Sequence, residues 1–152
     1  MFKGSIVALV TPFKNDEIDE KALRKLVEWH ISEGTNGIVP VGTTGESPTL
    51  DHPEHEKVVE IVIDQCNKRI PVIAGTGSNS TREAINLLKH AENAGADAAL
   101  VVTPYYNKPT PEGIFAHYQA LDKASSGLPI IVYNIPSRSV IDIQPHLMGE
   151  IS

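Results

Sequence analysis

The sequence is short of the features that mark secreted, membrane-spanning and nucleic-acid-binding proteins. Cys66 is its one cysteine, so a disulfide framework is excluded and a reducing compartment is expected. The apolar run at residues 6–10 is too short for the core of a signal peptide, and no other segment approaches the length of about 20 residues that spans a bilayer. The net charge is −6 and the basic residues are scattered, which argues against a nucleic-acid partner. We therefore expect a soluble, cytoplasmic protein that acts without a membrane or a nucleic acid.

What the sequence does contain is an ordinary globular composition. Hydrophobic residues make up 41% and charged residues 21% of the 152 positions, which fits one domain with a sizeable core. Cys66 shares an apolar helical stripe with Val59, Val62 and Ile63, and no activating base is near it in the sequence. We expect Cys66 to be a buried core thiol and not a nucleophile.

Short runs rich in β-branched residues alternate with longer amphipathic segments along the whole chain. The runs begin 27 to 34 residues apart, which is the size of one strand followed by one helix. Because they are continuously apolar, they predict strands that are buried on both faces of a parallel sheet. The predicted strands are residues 6–10, 38–41, 72–74, 99–102 and 130–133.

Helix start signals lie between the predicted strands. Two of them are capping boxes, in which the first residue and the residue three positions later each accept a hydrogen bond from a free backbone N–H group. The predicted boxes pair Asp51 with Glu54 and Ser80 with Glu83. The other two starts are Asp19 and Thr110, and apolar residues at 147–151 predict a fifth helix.

Strict alternation of strands and helices leaves two architectures, an open doubly wound sheet and a closed (β/α)8 barrel. A doubly wound nucleotide-binding fold would carry a glycine-rich turn after its first strand, where residues 11–13 contain no glycine. Gly75 and Gly77 lack the third glycine of that motif. We therefore predict an α/β fold, a (β/α)8 TIM barrel of which this chain holds about the first five βα units. A complete barrel needs about 200 to 250 residues, so we expect the chain, residues 1–152, to be the N-terminal part of one domain, truncated before the sixth strand.

Polar residues follow every predicted strand. The carboxyl ends of parallel strands meet on one face, so these residues are expected to converge there. Hydroxyl groups of Thr43, Tyr106 and Tyr133 predict a proton-relay network. Backbone N–H groups at residues 43–45 can hold one carboxylate, and Arg138 can clamp a second. The pattern indicates a small anionic substrate and proton transfer, without a metal or a nucleotide cofactor.

Three of these motifs resemble the dihydrodipicolinate synthase family. They are GTTGES at residues 42–47, TPYYNKP at residues 103–109 and YN-x-PSR at residues 133–138. The first two are shared with the wider pyruvate-lyase superfamily that includes N-acetylneuraminate lyase, whereas PSR is the discriminating segment. The resemblance implies an aldol-type lyase that condenses pyruvate with L-aspartate 4-semialdehyde through a lysine Schiff base, the first committed step of lysine and diaminopimelate biosynthesis.

The resemblance also implies roles for individual residues. Tyr133 would be the general acid and base, with Thr43 and Tyr106 relaying its proton. The residue that matches Tyr106 reaches in from a neighbouring subunit in that family, which implies a homo-oligomer, a dimer or a tetramer. The substrate-binding residues would be Thr44 and Gly45 for the pyruvate carboxylate and Arg138 for the carboxylate of the semialdehyde.

The Schiff-base lysine of that family lies on the sixth strand, beyond residue 152. The lysines present lie in helical stretches or at their ends, before the first strand, or in polar loops. Lys14 and Lys108 are the two in βα loops, and their polar neighbours offer no burial that would activate an amine. We therefore expect the chain alone to be inactive by this mechanism.

Six histidines raise the question of a metal site. His52 and His55 lie three residues apart in a first helical turn, but no third ligand accompanies them at a convincing spacing, so no metal is expected. A solvated helix start is one alternative interpretation. The resemblance implies another, a feedback site for L-lysine in which Glu83 faces the ammonium group. The residues that match this site are Ser47, His52, His55, Asn79, Glu83 and Tyr105.

Two other functions stay open. The protein can be a related 2-keto-acid lyase of the same superfamily that acts on a different aldehyde. It can also be a non-catalytic assembly partner that completes a barrel with a second chain, which the predicted unpaired edge strands would suit.

Overall fold

The computed structural model describes residues 2–152, and within them strands and helices alternate as predicted. A short 3-10 turn, Ser47–Thr49, precedes the second long helix. The strands are β1 (Ile6–Ala8), β2 (Phe13–Lys14), β3 (Glu17–Ile18), β4 (Gly37–Val39), β5 (Ile73–Gly75), β6 (Ala98–Val102) and β7 (Ile130–Tyr133). The helices are α1 (Glu20–Ser32), α2 (His52–Cys66), α3 (Thr81–Ala94), α4 (Pro111–Ala124), α5 (Pro136–Ser139) and α6 (Pro145–Ile151).

Parallel pairing joins five of these strands in chain order. β1 pairs with β4, with Ile6 opposite Gly37, and β5, β6 and β7 pair in turn. A parallel bridge between Ile38 and Val72 connects the two sets. The order β1, β4, β5, β6, β7 is that of successive strands in a (β/α) barrel, so the predicted architecture is confirmed as an arc of one.

The first βα connection contains a hairpin that the sequence patterns did not predict. β2 and β3 pair in antiparallel fashion, with Phe13 opposite Ile18. The two residues between them, Asn15 at φ 54° and Asp16 at φ 62°, both adopt the left-handed conformation. Two successive left-handed residues make the tight turn whose twist matches a two-stranded ribbon.

Side chains cover both faces of the parallel strands. Ile38 belongs to a buried cluster with helix residues, whereas its neighbour Val39 belongs to a smaller cluster with Ile73 and Ala98. Successive strand residues point to opposite faces, so the smaller cluster lies on the inner side of the arc. Burying each large aliphatic side chain contributes about 1.5–3 kcal/mol, and burial on both faces explains why the strand sequences are continuously apolar.

The predicted starts of the first two long helices are confirmed. The Asp19 carboxylate accepts a hydrogen bond from the Ala22 N–H group at 2.9 Å at the start of α1. At α2, Asp51 accepts from the Glu54 N–H group at 2.8 Å, and Glu54 accepts from the Asp51 N–H group at 3.0 Å. Both bonds of the capping box are therefore present.

The second predicted capping box is wrong in one half. The Ser80 hydroxyl accepts from the Glu83 N–H group at 3.5 Å, which caps α3. The Glu83 carboxylate instead binds the Ser78 hydroxyl and, at 2.6 Å, the imidazole of His52. The Ser80 N–H group donates to Ser78 at 3.0 Å. The Glu83 carboxylate therefore binds His52 of α2 and Ser78 and does not complete the capping box of α3.

The first two strands are shorter than predicted and the third is displaced by one residue. Pairing of β1 ends at Ala8, although the Leu9 N–H group still donates to the Val39 carbonyl at 2.9 Å. β4 ends at Val39 because Val41, at φ 48°, has left the extended conformation. The predicted fifth helix is confirmed as α6, and the single turn α5 before it was not predicted.

Cys66 is 1% exposed and packs in the cluster between the helices and strands. Burial raises the pKa of its thiol to about 11, so the prediction of a buried core thiol is confirmed. None of the helices within residues 2–152 combines the length and apolar character needed to cross a membrane.

Candidate functional site

A cleft of about 300 Å³ opens at the carboxyl ends of β4, β5, β6 and β7. Because parallel strands end on the same side, residues from four separate βα loops meet there. The five predicted site residues that line it are Thr43, Ser47, Tyr105, Tyr133 and Arg138. The loops converge as the strand pattern indicated, and the roles of these side chains stay predictions.

Three of the residues predicted for catalysis and substrate binding do not line the cleft. Both Gly45 and Thr44 belong to the loop that follows β4, where Gly45 is buried and Thr44 is exposed. Tyr106 is 86% exposed and adopts a left-handed φ of 71°. Within this chain, therefore, only Thr43 and Tyr133 of the three predicted relay hydroxyls share the cleft.

Among residues 2–152, Arg138 is the one charged residue that lines the cleft, and none of the lining residues is acidic. Across residues 2–152 the Arg138 guanidinium takes part in no salt bridge. A guanidinium attracts anions, and its planar fork matches the two oxygens of a carboxylate. The electrostatics of the cleft therefore favour an anionic ligand.

The loop at residues 42–47 supplies a second group suited to an anion. The Gly42 carbonyl accepts from the N–H groups of Gly45 at 3.0 Å and Ser47 at 3.4 Å, and the Thr43 carbonyl accepts from Glu46 at 3.2 Å. Within the described part of the chain, the N–H groups of Thr43 and Thr44 have no hydrogen-bond acceptor. Neighbouring free N–H groups in a tight turn form a site for a carboxylate.

Close backbone contacts explain two glycines at the mouth of the barrel. A Cβ atom at Gly75 would lie 2.3 Å from the Val41 carbonyl oxygen, and one at Gly77 would lie 2.4 Å from the Val102 nitrogen. Glycine lets these strand ends approach closely enough to bring their loops around one cleft. The absence of side chains at both positions therefore shapes the cleft.

Tyr133 is the last residue of β7 and is half-buried. Its carbonyl accepts hydrogen bonds from the N–H group of Thr103 at 3.1 Å and from the Thr103 hydroxyl at 3.4 Å. These two bonds tie the end of β7 to the end of β6 at the point where the Tyr133 side chain meets the cleft.

The loop that carries Arg138 is closed at its neck by Asn134, which the motif analysis gave no role. The Asn134 amide donates to Asp142 at 2.8 Å and accepts from the Ile143 N–H group at 3.2 Å. Inside the loop the Ser139 hydroxyl is fully buried and lies 3.0 Å from the carbonyl oxygens of Ile135 and Ile141. The only available signal was the adjacency of these polar residues to the PSR segment.

A separate cluster of predicted residues lies at the start of α2 and α3. His52 and Glu83 meet at 2.6 Å, and the Ser78 hydroxyl binds the other oxygen of Glu83. Hydrogen bonds from Ser78 and then from His52 lower the pKa of Glu83. Ser78 was missed because nothing in its local sequence distinguishes it from a turn residue. Asn79 is half-buried next to it.

His55 is buried behind this cluster, with 4% of its surface exposed. Its Nε2 atom lies 2.9 Å from the Gly75 carbonyl, which can only accept, so Nε2 carries the proton of a neutral ring. Burial lowers the pKa of His55 to about 4, although the bond to Gly75 opposes this shift. Within residues 2–152 no group of three or more His, Cys, Asp or Glu side chains is arranged to hold a metal ion.

Comparisons of the sequence with family models and with known proteins identify the same family. The model of the dihydrodipicolinate synthetase (DHDPS) family matches residues 1–152. The chain is 65% identical over 152 residues to 4-hydroxy-tetrahydrodipicolinate synthase of Roseobacter denitrificans, covering 100% of this chain and 52% of the relative.

Solved structures agree with that match. A chloride-inhibited dihydrodipicolinate synthase from Acinetobacter baumannii, in complex with pyruvate, is 56% identical with a TM-score of 0.96, covering 99% of this chain and 52% of that one. DHDPS from Cyanidioschyzon merolae with lysine bound is 39% identical with a TM-score of 0.94, at 99% and 52% coverage. The chain thus spans about half the length of the relatives that it matches.

Proposed function

The chain belongs to the dihydrodipicolinate synthetase family, and from that premise we propose that it forms the N-terminal part of a lyase that condenses pyruvate with L-aspartate 4-semialdehyde. The observation that carries the proposal is a pair of groups suited to anions, on two loops that both contribute residues to the cleft. Within residues 2–152, the N–H groups of Thr43 and Thr44 have no acceptor and form one element, and the Arg138 guanidinium has no acidic partner and forms the other. Each of the two substrates carries one carboxylate, so each element would hold one of them.

Schiff-base chemistry accounts for the rest of the site. A lysine amine adds to the C2 carbonyl of pyruvate and water leaves, the methyl group then loses a proton, and the resulting enamine carbon attacks the aldehyde. Among residues 2–152 no lysine lines the cleft, so we propose that a segment outside residues 1–152 supplies the amine and that this chain alone does not catalyse the reaction. Tyr133 and Thr43, which both line the cleft, would move the protons through their hydroxyl groups.

The exposure of Tyr106 supports a homo-oligomer as the working form. The Tyr106 side chain is 86% exposed and does not line the cleft of its own chain. Its backbone is held in a strained left-handed conformation. A tyrosine presented outward in this way suits insertion into the cleft of a second subunit. There its hydroxyl would complete the relay with Thr43 and Tyr133.

L-Lysine is the proposed regulator, and the cluster at the start of α2 and α3 is its proposed site. The Glu83 carboxylate is 36% exposed on its side chain and would face the ammonium group of the ligand. His52 and Ser78 already bind that carboxylate, so lysine would compete with His52 for it. The structural relative from Cyanidioschyzon merolae with lysine bound supports lysine as the ligand, and the choice of this cluster rests on Glu83. The remaining contacts would come from Ser47, His55, Asn79 and Tyr105.

Substrate competition tests the proposed reaction against that of related 2-keto-acid lyases. The full-length enzyme should condense pyruvate with aspartate semialdehyde and not with neutral sugar aldehydes. A neutral aldehyde has no carboxylate for the Arg138 guanidinium to bind. Arg138→Lys keeps the positive charge but loses the bidentate fork, so the KM for the semialdehyde should rise about tenfold or more. The KM for pyruvate should stay within about twofold. An enzyme that prefers a neutral aldehyde, or a variant that loses pyruvate affinity instead, contradicts the proposal.

A further inference from the structure

Thr11 follows the first barrel strand, and the proposed mechanism gives it no role. It does not line the cleft, whereas each of the other four barrel strands is followed by at least one residue that does. It is a buried polar residue with 5% of its surface exposed. Its hydroxyl donates a hydrogen bond of 2.7 Å to the carbonyl oxygen of Gly45, which is itself buried.

Gly45 rests directly on the backbone of neighbouring strand ends. A Cβ atom at this position would lie 3.0 Å from the Leu9 carbonyl oxygen and 3.0 Å from the Val41 nitrogen. The loop at residues 42–47 is therefore seated against the end of β1. The bond from Thr11 holds it there by a single side-chain contact that spans 34 positions in the sequence.

The geometry of that loop determines where its free N–H groups point. In a trans peptide the carbonyl and the following N–H group point in opposite directions. Because the carbonyls of Gly42 and Thr43 are turned into the loop by their own hydrogen bonds, the N–H groups of Thr43 and Thr44 are turned out of it. Any rotation of the loop about its seat would redirect both N–H groups together.

We propose that Thr11 is a positioning residue: by donating to the Gly45 carbonyl, its hydroxyl fixes the loop at residues 42–47 so that the Thr43 and Thr44 N–H groups meet the carboxylate of pyruvate. This inference rests on the proposed function, because it assigns the pyruvate carboxylate to those N–H groups. It predicts an effect on one substrate only. Arg138 lies on a different loop, closed by its own hydrogen bonds through Asn134.

The test is steady-state kinetics of the full-length enzyme with three substitutions. Thr11→Val keeps the shape of the side chain and removes the donor, whereas Thr11→Ser keeps the donor. Thr76→Val is the matched control, since Thr76 is a fully buried threonine after β5 whose hydroxyl has no partner among residues 2–152. The thermal midpoint of each variant is measured alongside its kinetics.

Loss of one neutral hydrogen bond corresponds to about a 3- to 10-fold change in an equilibrium constant. We expect Thr11→Val to raise the KM for pyruvate by that factor and to leave the KM for the semialdehyde within twofold. Thr11→Ser should return the pyruvate KM to near the wild-type value, and Thr76→Val should not change it. The pyruvate concentration that half-saturates borohydride trapping should rise in parallel with the KM.

A Thr11→Val enzyme that is less stable but has wild-type KM values overturns the proposal, as does an equal rise in both KM values. If Thr11→Val does not fold, Thr11→Cys replaces it with a weaker donor of similar size, and an unchanged pyruvate KM in that variant is equally decisive. Failure of the proposed function is distinguishable, because the wild-type enzyme itself would then neither trap pyruvate nor form the condensation product.

Discussion

Acidification should destabilise the protein through His55, which the fold holds neutral. Its pKa of about 4 lies below the value of about 6.5 expected in the unfolded chain. The contribution of neutral His55 to the stability of the fold is therefore complete above about pH 6.5. It is lost as the pH falls towards 4, because His55 binds a proton in the unfolded chain before it does so in the folded one. From these two pKa values, proton linkage lowers the free energy of unfolding by about 2 kcal/mol at pH 5 and about 3 kcal/mol at pH 4.

Urea unfolding between pH 8 and pH 5 measures this loss, with Trp29 as one fluorescent reporter. His55→Gln removes the titrating ring, so the free energy of unfolding of the variant should fall by about 2 kcal/mol less than that of the wild type over this range. His146→Gln replaces an exposed histidine on α6 and serves as the control. If the variant and the wild type lose stability equally, burial of a neutral His55 is not what makes the fold sensitive to acid.

Two further predictions concern the mouth of the barrel and the proposed lysine site. Gly75→Ala puts a Cβ atom 2.3 Å from the Val41 carbonyl oxygen and should destabilise the fold by about 1–3 kcal/mol in urea unfolding. Gly149→Ala on α6 meets nothing within 4 Å and should stabilise it by up to about 1 kcal/mol, so equal effects would contradict the packing argument. Glu83→Gln should raise the lysine concentration that gives half-inhibition by about tenfold or more, because a neutral amide replaces the carboxylate. Unchanged inhibition would place the ligand elsewhere.

The fold was predictable to the extent that its signals are local. Apolar runs spaced by one strand-plus-helix unit gave the five barrel strands, and Asp51 with Glu54 marked the start of α2 because both partners lie within one turn. Glu83 shows where local rules fail, since its bond to His52 spans 31 positions and competes with its role at the start of α3. The hairpin at Asn15 and Asp16 was missed because neither residue is the glycine that usually marks such a turn.

Several residues that line the candidate site were predictable from the sequence, whereas the residues that hold its loops in place were not. The motifs after β4, β6 and β7 identified side chains that line the cleft, such as Thr43 and Tyr133. The residues that hold those loops in place are Thr11 and Asn134, whose partners are distant in sequence or are backbone atoms. A pattern of residue types cannot reveal such bonds, because the same residues are common in ordinary turns.

Trapping of the pyruvate Schiff base with borohydride tests the central claim most directly. The full-length enzyme should gain one pyruvate-sized adduct per subunit on a lysine outside residues 1–152, while the 16.5 kDa chain alone should gain none. Tyr133→Phe should slow formation of the adduct, since we propose that the tyrosine hydroxyl moves the protons of that step. An adduct on any lysine within residues 1–152, or a full-length enzyme that traps no pyruvate, would contradict the account.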